Sequence, residues 1–228
     1  MKIVGLQKNS FVDYPKNIAA VLFLAGCNFD CWYCHNAAVC QGDTGMEYSL
    51  PDILRFLDER RRILDGVVIT GGEPLLNADI SPLAKAIKEK GLLVKLDTNG
   101  AYPERLQALL EDRLIDFIAM DIKATTEKYP DVIRAPFDEA AFFESIRLIM
   151  ESGVDYEFRT TVVPQLSLDD IAEMAGYIQG AKSYALQQYR KPENPPSNIS
   201  PLPLKPSFFH AAKERIEPLV EKVILRGL

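Results

Sequence analysis

The run Ile18-Ala19-Ala20-Val21-Leu22-Phe23-Leu24 is followed almost at once by Gly26-Cys27-Asn28-Phe29-Asp30-Cys31-Trp32-Tyr33-Cys34-His35-Asn36. Seven consecutive apolar residues predict a strand buried on both faces, as in a parallel sheet covered by helices. That strand delivers a loop whose cysteines are spaced C-x3-C-x2-C, with an aromatic residue before the last. Three thiolates on one loop can hold three irons of a cubane cluster, and a [4Fe-4S] cluster has four. One iron is then open to another ligand. A zinc site is the competing reading, but it wants a fourth tetrahedral ligand. His35 sits too close to Cys34 to supply it comfortably, and Cys40 only at a stretch. A disulfide framework does not suit four cysteines confined to residues 27–40 of a 228-residue chain.

Outward from this loop, apolar runs alternate with helical spacing. Strands are predicted over Gly66–Thr70, Leu92–Asp97, Ile115–Ile122, Asp155–Val163, Ser183–Gln188 and Lys222–Leu225. Helices are predicted over Asp52–Leu64, Ile80–Lys90, Pro103–Leu110, Asp138–Ser152, Leu168–Ile178 and Pro206–Val220. Ser49 or Asp52 is a candidate cap for the first helix, Pro103 opens the third, and Gly153 ends the fourth. Six main βα units predict an α/β fold: a single-domain, partial (β/α)6 TIM-like barrel with a parallel sheet, short of the eight units of a closed one. Arg190–Pro206 carries six prolines and is expected to be an irregular, semi-rigid loop.

Hydrophobic residues make up 47% and charged residues 25%, ordinary for a soluble domain. A net charge of −6 argues against a nucleic-acid surface. No apolar run approaches the roughly 20 residues of a membrane span, and the N-terminal residues lack a secretory core. Clustered thiols without an export signal suit a reducing cytoplasm.

The remaining motifs all follow predicted strands, at the end where parallel α/β folds place ligands. Thr70-Gly71-Gly72-Glu73-Pro74 follows the second, and its glycines let backbone come close to a ligand. Asp97-Thr98-Asn99-Gly100 follows the third; a plain turn or cap is the alternative. Met120-Asp121-Ile122-Lys123 follows the fourth, where Asp121 and Lys123 could simply pair. Arg159 lies on the fifth, where an inward arginine is costly unless paired and its fork suits a carboxylate. Gln187-Gln188-Tyr189-Arg190 follows the sixth.

The cysteine spacing together with Gly71-Gly72-Glu73-Pro74 resembles the radical S-adenosylmethionine (SAM) superfamily. Cys34-His35-Asn36, Asp97-Thr98-Asn99-Gly100 and the opening Gly5–Pro15 extend the resemblance nearly end to end. They bring it to the activating proteins of glycyl-radical enzymes, closest to those of anaerobic (class III) ribonucleoside-triphosphate reductase. The resemblance implies one radical SAM core domain over residues 1–228. It implies a [4Fe-4S] cluster on Cys27, Cys31 and Cys34, whose open iron takes SAM. Reductive cleavage then gives a 5′-deoxyadenosyl radical that removes hydrogen from a glycine Cα of the partner enzyme. Around SAM it places Gly71, Gly72 and Glu73 (amino group), Tyr33 (adenine), His35, Lys123, Arg159 and Arg190. Arg190 stands where pyruvate formate-lyase activases have a histidine. Asp97, Thr98 and Asp121 would hold a monovalent cation with oxygen ligands. A flavodoxin- or ferredoxin-type protein would donate the electron. A radical SAM enzyme acting on a small molecule, such as a 7-carboxy-7-deazaguanine synthase, is the second reading; its usual Cys-Asp-Thr is Cys34-His35-Asn36 here. A zinc-binding module is the third.

Overall fold

A computed structural model describes residues 1–191 and 202–228. Eight strands form one sheet in chain order: β1 (Ile3–Ser10), β2 (Ala19–Leu24), β3 (Gly66–Gly71), β4 (Leu93–Thr98), β5 (Phe117–Asp121), β6 (Asp155–Val162), β7 (Tyr184–Gln188) and β8 (Val223–Arg226). From β2 to β8 every neighbouring pair is parallel. The principal crossover helices are α2 (Leu50–Arg60), α3 (Ile80–Lys88), α4 (Pro103–Glu111), α6 (Glu139–Glu151), α7 (Leu168–Tyr177) and α8 (Pro206–Ile216). Two short helices, α1 (Ala37–Gln41) and α5 (Tyr129–Ile133), precede α2 and α6. The result is a single-domain α/β fold whose sheet stays open, with β1 and β8 as its edges.

Local sequence explains these elements. The Ser49 side chain accepts a hydrogen bond from the Asp52 N–H at the start of α2, and Asp138 does the same for Ala141 in α6. Ser167 and Asp170 form a reciprocal capping box on α7. In α3 the buried residues Ile80, Leu83, Ala84 and Ile87 fall on one stripe, the i, i+3, i+4, i+7 pattern of a helix laid on a sheet. Strand alternation then divides the interior. One face of the sheet, with Leu22, Ile69, Leu96, Ile118 and Phe158, packs the helices. The opposite face carries Val21, Val68, Asp97, Asp121 and Arg159 into the barrel.

Three features depart from the sequence reading. β1 is an added strand and pairs antiparallel with β2, so the sheet is not wholly parallel. Its burial pattern is buried at the start and exposed from Gln7 to Asn9, which hides an edge strand from a search for apolar runs. α5 is a further unforeseen element, five residues long and ended by Arg134 in the left-handed region. α2 stops at Arg60 rather than Leu64, and α8 at Ile216 rather than Val220. Of the expected proline-rich loop, residues 192–201 lie outside the described residues.

Candidate active site

The carboxyl ends of the strands surround a cavity of about 340 Å³. Cys27, Cys31 and Cys34 all line it, as do Tyr33, His35, Gly71, Gly72, Asp97, Asp121, Lys123 and Arg159. The sheet therefore gathers most of the residues singled out along the chain.

The two glycines fix the cysteine loop. The Gly72 N–H donates to the Leu24 carbonyl at 2.9 Å, and the Glu73 N–H to the Gly26 carbonyl at 2.8 Å. A Cβ on Gly71 would overlap backbone of Leu24, and one on Gly72 would overlap the Gly26 carbonyl. Gly71 also has φ of +120°, strained for any side chain. Their smallness thus serves the close approach of β3 to the loop after β2, besides lining the cavity. The neighbour Asn36 adds a side-chain bond from Nδ2 to the Gly71 carbonyl at 3.3 Å. Gly72→Ala is expected to destabilise the protein by about 3 kcal/mol through overpacking against backbone. It should also lower the iron held after anaerobic reconstitution. Urea unfolding and iron quantification check both effects.

Within the loop the thiols differ. The nearby Cys40 thiol, with the Phe29 N–H that donates to Cys27 Sγ at 3.4 Å, brings Cys27 down to about 6 against the opposing effect of burial. The same Cys40 contact, with an Sγ–Sγ distance of 3.9 Å, brings Cys34 to about 7. Burial lifts Cys31 to about 11. Thiolate is the metal-binding form, so two of the three sulfurs are readied for it. Cys40, read from sequence as lying outside the motif, also lines the cavity. Tyr33 is buried edge-on against Trp32, which leans in turn on Tyr189. His35 is exposed at the cavity rim.

Glu73 lies elsewhere than expected. It is fully buried and does not line the cavity. Its carboxylate accepts from the Leu75 N–H at 3.0 Å, the Thr98 hydroxyl at 2.8 Å and the Asn99 N–H at 2.6 Å. Glu73 therefore clamps the end of β3 to the end of β4. Asn99 extends the clamp, its Nδ2 reaching Asn28 Oδ1 in the cysteine loop at 2.8 Å. Burial pushes the Glu73 carboxyl up to about 7 despite these donors.

The expected cation ligands are engaged too. Thr98 gives its hydroxyl hydrogen to Glu73 and accepts from the Gly100 N–H at 3.1 Å. Asp97 and Asp121 are bridged by Arg159, through Nη1 to Asp97 at 3.2 Å and Nε to Asp121 at 2.8 Å. Lys123 stands 3.5 Å from Asp121, and Lys95 binds the other Asp97 oxygen. Burial opposes the charge on both carboxylates, but Arg159, with Lys95 at Asp97 and Lys123 at Asp121, outweighs it and holds both below their ordinary value. The side-chain oxygens of all three residues thus have partners within the protein. Lys95 went unread in the sequence. Its signal was a charge two residues before Asp97 on one face of an otherwise apolar strand.

Arg190 is exposed beyond the end of β7 and does not line the cavity, whereas Tyr189 beside it is buried.

A three-thiol loop pinned against a glycine turn, beside a positively charged wall, fits an iron–sulfur cluster and a carboxylate-bearing cofactor. The comparison with known proteins agrees. Residues 21–178 match the radical SAM superfamily. A protein of Methanocaldococcus jannaschii, named as a candidate glycyl-radical enzyme activating enzyme, is 32% identical over 99% of this chain and 96% of its own. The chain belongs to the radical SAM glycyl-radical activating enzymes. A pyruvate formate-lyase-activating enzyme of Clostridium pasteurianum is 26% identical over 80% of this chain and 78% of its own. Streptococcus suis SuiB shares the fold with a TM-score of 0.70 and 14% identity, over 91% of this chain. This chain spans about half of SuiB, 49% of its length. The radical SAM family implies a [4Fe-4S] cluster and SAM. Among the described residues no helix is long and apolar enough to cross a membrane.

Proposed function

We propose that this activase installs a glycyl radical on an anaerobic (class III) ribonucleoside-triphosphate reductase. The plain connection after the cysteine loop supports an activase without auxiliary clusters, and the preference for a reductase over pyruvate formate-lyase rests on the resemblance of the motifs. Between Cys34 and β3 the chain holds α1, α2 and their turns, with Cys40 the one further cysteine. Larger activases of the resemblance carry eight more cysteines there for auxiliary clusters.

When bound, the reduced cluster supplies the electron that splits SAM into methionine and a 5′-deoxyadenosyl radical. The chain's own residues bind and orient. Cys27, Cys31 and Cys34 would ligate iron. Arg159 and Lys123 offer cationic donors to the carboxylate of SAM, and Gly71 and Gly72 offer exposed backbone to its amino group. Tyr33 would lie against adenine, with His35 at the rim. Glu73 would act indirectly, by holding Asn99 and the cysteine loop in place. The gap between β1 and β8 would admit a loop of the partner, whose glycine Cα has no side chain to bar approach. That Cα–H would be the hydrogen donor to the 5′ carbon, and the flanking amides would stabilise the radical left on the glycine. In this reading residues 1–228 work as one core domain, in a reducing cytoplasm, with a flavodoxin- or ferredoxin-type electron donor.

The test uses reductase labelled with glycine deuterated at Cα. Incubation with the reduced activase and SAM should place deuterium in 5′-deoxyadenosine, read by mass spectrometry. Unlabelled 5′-deoxyadenosine formed at the same rate with and without reductase would reject this partner.

A further inference from the structure

We infer that the Lys95 ammonium, with the Arg159 guanidinium, stands in for the monovalent cation expected at Asp97 and Asp121, so that SAM binding here needs neither sodium nor potassium. Lys95 and Asp97 lie two apart on β4 and so face the barrel together. Lys95 is only 1% exposed, and its Nζ binds Asp97 Oδ1. The second Asp97 oxygen takes Arg159 Nη1 at 3.2 Å. Asp121 Oδ1 takes Arg159 Nε at 2.8 Å, and Oδ2 faces Lys123 Nζ at 3.5 Å. Each of the four carboxylate oxygens already has a cationic nitrogen.

A bare ion would have to share these oxygens with cationic nitrogens already in place, of which Lys123 Nζ at 3.5 Å is the loosest. Thr98, the third expected ligand, is turned to Glu73. Besides Asp97, the Lys95 ammonium meets the Phe117 ring, 5.9 Å from its centroid. An ammonium taken from water is costly unless paired, and an apolar residue at that place would pack against the neighbouring Phe117 ring. An ion pair that removes a cation requirement gives the position its reason.

The inference rests on SAM binding at this site and is independent of the protein partner. The experiment is a SAM-binding titration of the reconstituted protein in potassium, sodium or tetramethylammonium chloride at equal ionic strength, beside Lys95→Met. Tetramethylammonium is too large for an oxygen cage. Wild-type affinity is expected to change by less than about threefold among the salts. A larger loss in tetramethylammonium, restored by potassium, overturns the inference. Lys95→Met is expected to lose about tenfold in affinity in tetramethylammonium and to recover in potassium or ammonium. A folded Lys95→Met that binds as the wild type does in every salt also overturns it. If that variant does not fold, the wild-type salt series decides alone. Absence of SAM binding in every salt would remove the cofactor reading itself and this inference with it, an outcome distinct from salt dependence.

Discussion

Alanine in place of Cys27, Cys31 or Cys34 is expected to abolish cluster assembly, whereas Cys40→Ala is expected to retain it. Each of the three supplies a thiolate from a loop whose backbone is pinned to β3, so no other part of the chain can shift to replace it. Cys40 makes this a demanding test. Its sulfur lies 3.9 Å from that of Cys34, close enough to be taken for a ligand. Its closeness to Cys27 and Cys34 lowers the ionisation of those two thiols and raises its own. The C-x3-C-x2-C spacing, rather than this contact, sets Cys40 apart from the three expected ligands. Iron and sulfide quantification with electron paramagnetic resonance of the reduced protein reads the result. A Cys40→Ala protein devoid of cluster, or a Cys31→Ala protein with a full one, would show that the ligand set is wrong.

Arg159→Ala is expected to cost both stability and SAM affinity. The guanidinium is the one group that touches Asp97 and Asp121 together, and its side chain is 14% exposed. Its loss leaves Asp97 to Lys95 and Asp121 to a 3.5 Å contact with Lys123. Breaking a buried pair costs about 3–5 kcal/mol, and the part-exposed Asp121 points to the lower end. Loss of a charge-assisted contact to the cofactor carboxylate, worth about 1.5–3 kcal/mol, weakens SAM binding by roughly 10- to 100-fold. Urea unfolding measures the first effect and SAM titration the second. Arg159→Lys, which keeps the charge and loses the fork, should recover part of the stability and less of the affinity. Undiminished SAM affinity in Arg159→Ala would confine Arg159 to a structural role.

The strands from β2 onward were legible because parallel strands are buried on both faces and read as apolar runs. β1 was not, since half of it faces solvent at an edge. The cysteines and glycines were legible from spacing, which is a local property. What joins them is not local. The Glu73 clamp on Asn99 spans 26 residues and depends on β3 lying beside β4. The Asp121–Arg159 pair depends on a register that sets these two residues opposite each other. Asp97, Asp121 and Arg159 were each recognisable as unusual, but their mutual neutralisation follows only from strand order. Lys95 was passed over because a lysine in an apolar run reads as a strand-end charge. The exposure of Arg190, next to the buried Tyr189, was not legible from its place after a strand.

The most direct test of the central claim is to combine the reduced activase, SAM and the candidate class III reductase without oxygen and to record the electron paramagnetic resonance spectrum. The account predicts a glycine-centred doublet that needs both SAM and the three-cysteine cluster and is lost when the target glycine is replaced by alanine. Consumption of SAM with no protein radical on the reductase, while a small molecule is transformed, would contradict it.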